Sequence, residues 1–147
     1  MFVVDVNVLV AAHRADHPNH PDATAWIEAA LARPDADVMV PDLVWVGFVR
    51  IVINRRIFPV ASTLGDAAAF VDAVTGAPGY RPIAGLLAGI RPFLDLCQHA
   101  GASADLVPDA YIAAVAQRFA CPVVTFDRDF RRFDGLPSII PTAGSSK

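Results

Sequence analysis

The chain has 147 residues, 54% apolar and 18% charged, with a net charge of −3. Such a length suits one domain that buries roughly 70% of the surface its unfolded chain would expose, with no need of metal or disulfide staples. The charge excludes a polycation, so any nucleic-acid contact has to come from a local basic patch.

Residues 2–5, rich in Val and Phe, read as a short buried strand, and 8–14 as a helix. "RADHPNHPD" is a turn with two prolines. Residues 21–32 form a helix with Ala25, Ile27, Ala29 and Leu31 on its apolar side, and 38–40 a second strand. Pro41 opens a third helix to about Ile53, where its missing N–H costs nothing. "NRRIFPVAST" is a basic loop, and 64–74 a helix with Leu64, Ala67, Ala68 and Val71 on one face. "YRPI" is a candidate strand, and 86–99 a helix that Pro92 kinks or splits. After the loop "GASADLVP", residues 109–119 carry the clearest helical period, at Ile112, Val115, Ala116 and Phe119. A strand at about 122–126, a short helical turn "RDFRRF" and an edge strand "SIIP" follow.

Strands alternating with helices predict an α/β sandwich with a short parallel sheet. A single domain over 1–141 and a flexible tail over 142–147 are expected. Cys97 and Cys121 have no metal or redox spacing, and Asp5 interrupts the first apolar stretch, unlike a secretory signal. No apolar run of about 18 residues is present to span a membrane, so a cytoplasmic location with reduced thiols is expected. The high apolar content predicts an apolar-rich surface that a partner or a second copy partly covers.

In parallel sheets, ligands gather beyond the carboxyl ends of the strands. Asp5 ends the first strand, Asp127 ends "PVVTFD" with Asp129 two residues on, and Asp109 opens the strongest helix. Singly, Asp109 is a favourable first-turn residue worth about 0.3–1 kcal/mol, and Asp127 and Asp129 are ordinary turn residues. Asp5 is harder to dismiss, because a carboxylate in "FVVDVNVLV" costs several kcal/mol unless it is paired. Carboxylates gathered at one edge repel, and a hard divalent cation is the usual compensation. An all-oxygen set selects Mg²⁺ or Mn²⁺ over zinc.

"FVVDVNVLV", "LVPDAYIAAVA" and "VVTFDRDFRRFDGL" resemble, in order and spacing, the three signature segments of the PIN domain nucleases, most closely the VapC toxins of toxin–antitoxin pairs. "LVWVGFVRIVINRRIF" resembles the corresponding helix of a mycobacterial subset. The resemblance implies a three-layer α/β/α sandwich and a Mg²⁺- or Mn²⁺-dependent endoribonuclease toxin. In that reading Asp5, Asp109 and Asp127 hold the metal that activates water, Asn7 and Thr125 hold the carboxylates in place, and Asp129 is an outer acid. A cognate VapB-type antitoxin, an RNA substrate and a homodimer are implied with it. One departure is visible. Most members carry a glutamate on the third helix, where this chain has Trp45 and Gly47; Asp42 either substitutes from a turn earlier or is a helix-start residue.

Arg50, Arg55 and Arg56 after the third helix, and Arg128, Arg131 and Arg132 after the last acids, are candidates to hold RNA phosphates, or else solvated surface charges. His13, His17 and His20 read as surface-loop residues, and Glu28 as solvent-facing. Two other classes stay open. A PIN fold that binds RNA or a partner without cutting fits the missing glutamate. An aspartate-nucleophile phosphotransfer domain would need a lysine near Asp5, and the single lysine is Lys147.

Overall fold

A computed structural model of the chain describes residues 1–86 and 89–144. Among them four strands, β1 (Phe2–Val4), β2 (Val38–Met39), β3 (Val123–Val124) and β4 (Ser138–Ile139), form one parallel sheet in the order β2-β1-β3-β4. The helices are α1 (Val6–His13), α2 (His20–Leu31), α3 (Asp42–Val52), α4 (Leu64–Thr75), α5 (Arg91–His99) and α6 (Val107–Arg118). They flank the sheet in a three-layer α/β/α sandwich.

The two central strands explain the apolar runs that encode them. Val3, Val4, Val123 and Val124 are fully buried, as expected of strands covered on both faces. Their register pairs Val3 with Val123 and Val4 with Val124, so the next residues on both strands emerge side by side at the carboxyl edge. The helix starts are chemically marked. Asp5 caps α1 through its side chain, Pro41 stands at the N-cap position of α3 without a side-chain bond, and Thr63 with Asp66 forms a reciprocal capping box on α4.

Several expectations are corrected. The helix expected over 86–99 begins at Arg91, with Pro92 in its first turn rather than at a kink; Leu87 and Ala88 lie outside the described residues. A 3-10 turn, Ala104–Leu106, leads into α6 two residues before the expected start. The strand sought in 80–83 contributes one bridge, Val38 to Tyr80. On α2 the buried residues are Ala23, Trp26, Ile27, Ala30 and Leu31, while Ala25 and Ala29 are only half-buried. On α4, Ala67 and Val74 are buried while Leu64 is 65% exposed. His13 is no surface-loop residue: it ends α1, packs edge-on against Phe48 and Phe70, and bonds Ser62 through Nε2 at 2.8 Å. Glu28 is exposed, as expected. Ala143, in the expected tail, donates its N–H to Asp22 at 2.8 Å, and residues 145–147 lie outside the described residues.

The surface carries apolar side chains as the composition predicts, among them Leu43, Val46, Ile57, Val60 and Leu64. No helix among the described residues is long and apolar enough to cross a membrane.

Gly79 joins α2 to the sheet. Its N–H donates to Leu31 O, and its carbonyl accepts from Val38 N. A Cβ there would lie 2.6 Å from the carbonyl oxygens of Ala30 and Arg33. Gly79→Ala is therefore expected to cost about 1–3 kcal/mol, read as a lowered urea midpoint with an unchanged slope.

Candidate active site

The parallel register brings Asp5 and Thr125 together. Asp5 follows β1, Thr125 follows β3, and Asp5 N–H donates to Val124 O at 3.0 Å. Asp5 is 3% exposed and Thr125 fully buried. A carboxylate so placed needs donors, and the fold supplies three. Val6 N–H donates to Oδ1 at 2.6 Å, while the Thr125 hydroxyl and Asn7 Nδ2 each donate to Oδ2 at 2.7 Å.

Asn7 stands in the first turn of α1 and ties three segments together. Its Nδ2 also reaches Thr125 Oγ1 at 3.1 Å, and its Oδ1 accepts from Phe126 N–H at 3.2 Å. Thr125 Oγ1 accepts a further bond from Asp127 N–H at 2.9 Å. That hydroxyl thus donates once and accepts twice, which is its full capacity. Asp127 is exposed and caps the 3-10 turn Arg128–Arg132 by accepting from Asp129 N–H at 2.8 Å.

Asp109 completes the group differently. It sits half-buried in the first turn of α6, just after Pro108, and its carboxylate finds no hydrogen-bond donor among the described residues. Burial, then repulsion by Asp5, Asp127 and Asp129, pushes it up to about 7. Asp5 is raised to about 6, chiefly by burial against the lowering effect of its donors, with Asp127 adding repulsion. No arginine is among the groups that set either shift. The fold has collected negative charge at one sheet edge, and among the described residues no side-chain cation acts on Asp5 or Asp109.

The donor set fits a hard divalent cation in one specific way. Among the described residues no three acidic, imidazole or thiol groups converge closely enough to enclose an ion. A hydrated Mg²⁺ does not need a closed cage, because it keeps several waters and takes one or two carboxylates together with substrate phosphate. Among the described residues, Asp109 has no donor to its carboxylate and Asp127 accepts only through Oδ1, so both have oxygens to offer.

The remaining candidates divide. Asp42 is exposed at the start of α3, and the residue that feels its charge is Tyr111; it is absent from the charges acting on Asp5 and Asp109. Arg128 directly follows Asp127, and Arg50 lines a groove with Val6 and Pro108, neighbours of Asp5 and Asp109. Arg55 and Arg56 lie exposed in the turn beyond α3, and Arg132 is engaged with Ala100 O. Motif reading alone passes over Val6 and Pro108 as site walls, although each adjoins an acid.

A surface cavity of about 740 Å³ lies elsewhere, around His13, Arg14, Ser62 and Asp66. It is a wide trough whose polar groups already satisfy one another: Arg14 bonds Asp16, Val60 O and Ser62. The acidic edge, with its mutually repelling carboxylates, is the stronger chemical candidate.

Upward carboxyl shifts mean that the folded state holds protons which the unfolded chain has released. Stability present below pH 4 is therefore lost as pH rises through the folded values of about 6 and 7. In chelator, Asp109→Asn should melt higher than wild type, with a gap that widens from pH 5 to pH 8. A gap independent of pH, measured by thermal unfolding, would contradict the repulsion.

A family model described as PIN domain matches residues 2–136. Ribonuclease VapC25 of Mycobacterium tuberculosis is 46% identical over 141 residues, covering 96% of this chain and 99% of that protein. Ribonuclease VapC31 of the same species matches at the same identity and coverage. Ribonuclease VapC43 is 38% identical, with 92% of each chain covered. Among solved structures, the crystal structure of M. tuberculosis VapC20, described as a sarcin–ricin loop cleaving toxin, superposes with a TM-score of 0.71 at 19% identity, covering 96% of this chain and all of that one. VapBC2 from Rickettsia felis, bound to a promoter DNA fragment, gives 0.68 at 15% identity over 94% and 96% of the two chains. Those two likenesses speak to the fold.

Proposed function

The chain belongs to the PIN domain family, on its VapC-type ribonuclease branch, and from that premise we propose that its acidic edge is the catalytic centre of an endoribonuclease toxin dependent on Mg²⁺ or Mn²⁺. The observation that carries this reading is the pair of buried Asp5 and half-buried Asp109 at one sheet edge, both raised by burial and by the repulsion of neighbouring aspartates, with no side-chain cation among the causes. When bound, a divalent cation supplies Lewis acidity: it activates water and offsets charge on the transferring phosphoryl oxygens.

The chain's own part is positioning. Asp5 is oriented by Thr125, Asn7 and the Val6 N–H, so its oxygens hold one direction. Asp109 and Asp127 bring carboxylates from two other elements, and together the three are the proposed metal ligands. Asp129 adds an outer negative charge. Asn7 and Thr125 act through Asp5 as supporting groups, and Asp42 stands outside the set. Arg128, beside Asp127, and Arg50, beside Val6, are placed to meet phosphates on either side of the acids, with Arg55 and Arg56 further along the strand's path.

A cognate VapB-type antitoxin, a homodimeric assembly and a cytoplasmic location complete the proposal. The apolar groove between α2 and α4, lined by Ile27, Leu31, Phe70, Val74 and Ala77, is a surface on which an apolar segment of the antitoxin would fit.

Purified protein freed of antitoxin should cleave RNA with Mg²⁺ or Mn²⁺ and not in chelator. Asp5→Ala and Asp109→Asn should reduce cleavage to background while the proteins still unfold cooperatively. Asn7→Ala should keep activity but lower it by about 10–100-fold, as loss of a ligand-orienting bond does. Gel analysis of a defined single-stranded RNA reads all three. Full activity in Asp109→Asn would reject this centre.

A further inference from the structure

Beside the acids, between α3 and the start of α6, lies an apolar groove of about 210 Å³ lined by Val6, Leu43, Val46, Gly47, Arg50 and Pro108. It is continuous with the acidic edge through two walls. The Val6 N–H bonds Asp5, and Pro108 directly precedes Asp109. Its floor is Gly47, where an added Cβ would meet Val6 Cγ2 at 3.5 Å, and a larger side chain would occupy the groove itself. Leu43 and Val46, in its wall, carry exposed apolar area, at 47% and 64%. Arg50, in the last turn of α3, is exposed and has no carboxylate partner among the described residues.

An apolar slot with one uncommitted guanidinium, opening onto an acidic centre, matches one part of a nucleic acid well. Resting on the ribonuclease reading above, we propose that this groove takes the base of the nucleotide next to the scissile phosphate, with Arg50 gripping the adjoining phosphate. Charge complementarity favours this occupant: the acids repel a polyanion, and Arg50 supplies attraction on this flank. An apolar wall accepts the face of any base, but only a base that is unstacked, so the substrate is single-stranded at this point. Apart from Arg50 the six wall residues offer no polar side chain to read base edges. Discrimination therefore follows base size and not hydrogen-bond pattern, and is on the order of tenfold.

The test uses binding, so that it does not depend on cleavage. Affinity of a fluorescent single-stranded RNA oligonucleotide is measured in the Asp109→Asn protein, with and without a second change. Gly47→Leu, which fills the slot, should raise Kd by roughly tenfold, with Gly47→Ala nearer the parent. Arg50→Gln should flatten the log Kd against log salt dependence by about 0.7, the share of one single-strand phosphate. Thermal unfolding checks that each protein is folded. Unchanged Kd in Gly47→Leu together with an unchanged salt slope in Arg50→Gln would overturn the proposal. So would a groove variant that dissociates a homodimer without altering RNA affinity, since the groove would then be an interface between copies. Failure of the wild-type protein to cut RNA would instead reject the catalytic reading and leave the binding result to be judged alone.

Discussion

Asp5 is the constraint around which the molecule is arranged. A carboxylate 3% exposed at the end of a valine strand is costly unless donors meet it, and the three donors come from three places: the start of α1, the side chain of Asn7, and Thr125 at the end of the neighbouring strand. Those bonds exist only if β1 and β3 keep their register, since a slip by one residue would turn Thr125 to the other face. The same network reaches Asp127 through its backbone N–H. Fold and site are thus one structure at this edge, and loosening Asn7 or Thr125 disturbs both.

Asp109 has the opposite character. It comes from a helix start, lacks donors to its carboxylate among the described residues, and is repelled by Asp5, Asp127 and Asp129. One carboxylate clamped and one left free is a sensible division for a cation site. The clamped group sets direction, while the free group yields its proton when positive charge arrives. The third helix carries no glutamate, and Gly47 there lines the groove beside Val6 and Pro108.

Much of this was legible in the sequence because polar residues inside apolar runs announce themselves. Asp5, Asn7 and Thr125 interrupt valine-rich strands, and Asp109 and Asp127 stand at element ends where α/β sheets place ligands. What proved less legible depends on neighbours the chain order conceals. Ala25 and Ala29 were assigned to the inner face of α2 with a period of two, whereas Trp26, Ala30 and Ala23 follow the helical period and are buried. Leu64 looked like core but occupies the first turn of α4, beyond the reach of the sheet. His13 looked like loop because its partners, Phe48, Ser62 and Phe70, are more than thirty residues away. That Asp42 acts on Tyr111 and is absent from the charges on Asp5 and Asp109 was equally hidden, since position on a helix does not say which neighbour the helix faces.

The central claim is that repulsion among these aspartates is what a divalent cation relieves. Calorimetric titration of Mn²⁺ into the antitoxin-free protein, at pH 6 and pH 8 and in buffers of different ionisation enthalpy, tests it most directly. Binding should strengthen toward pH 8 and release protons near pH 6 to 7, where Asp5 and Asp109 still hold them. Binding without proton release, or no binding at millimolar Mn²⁺, would contradict the account.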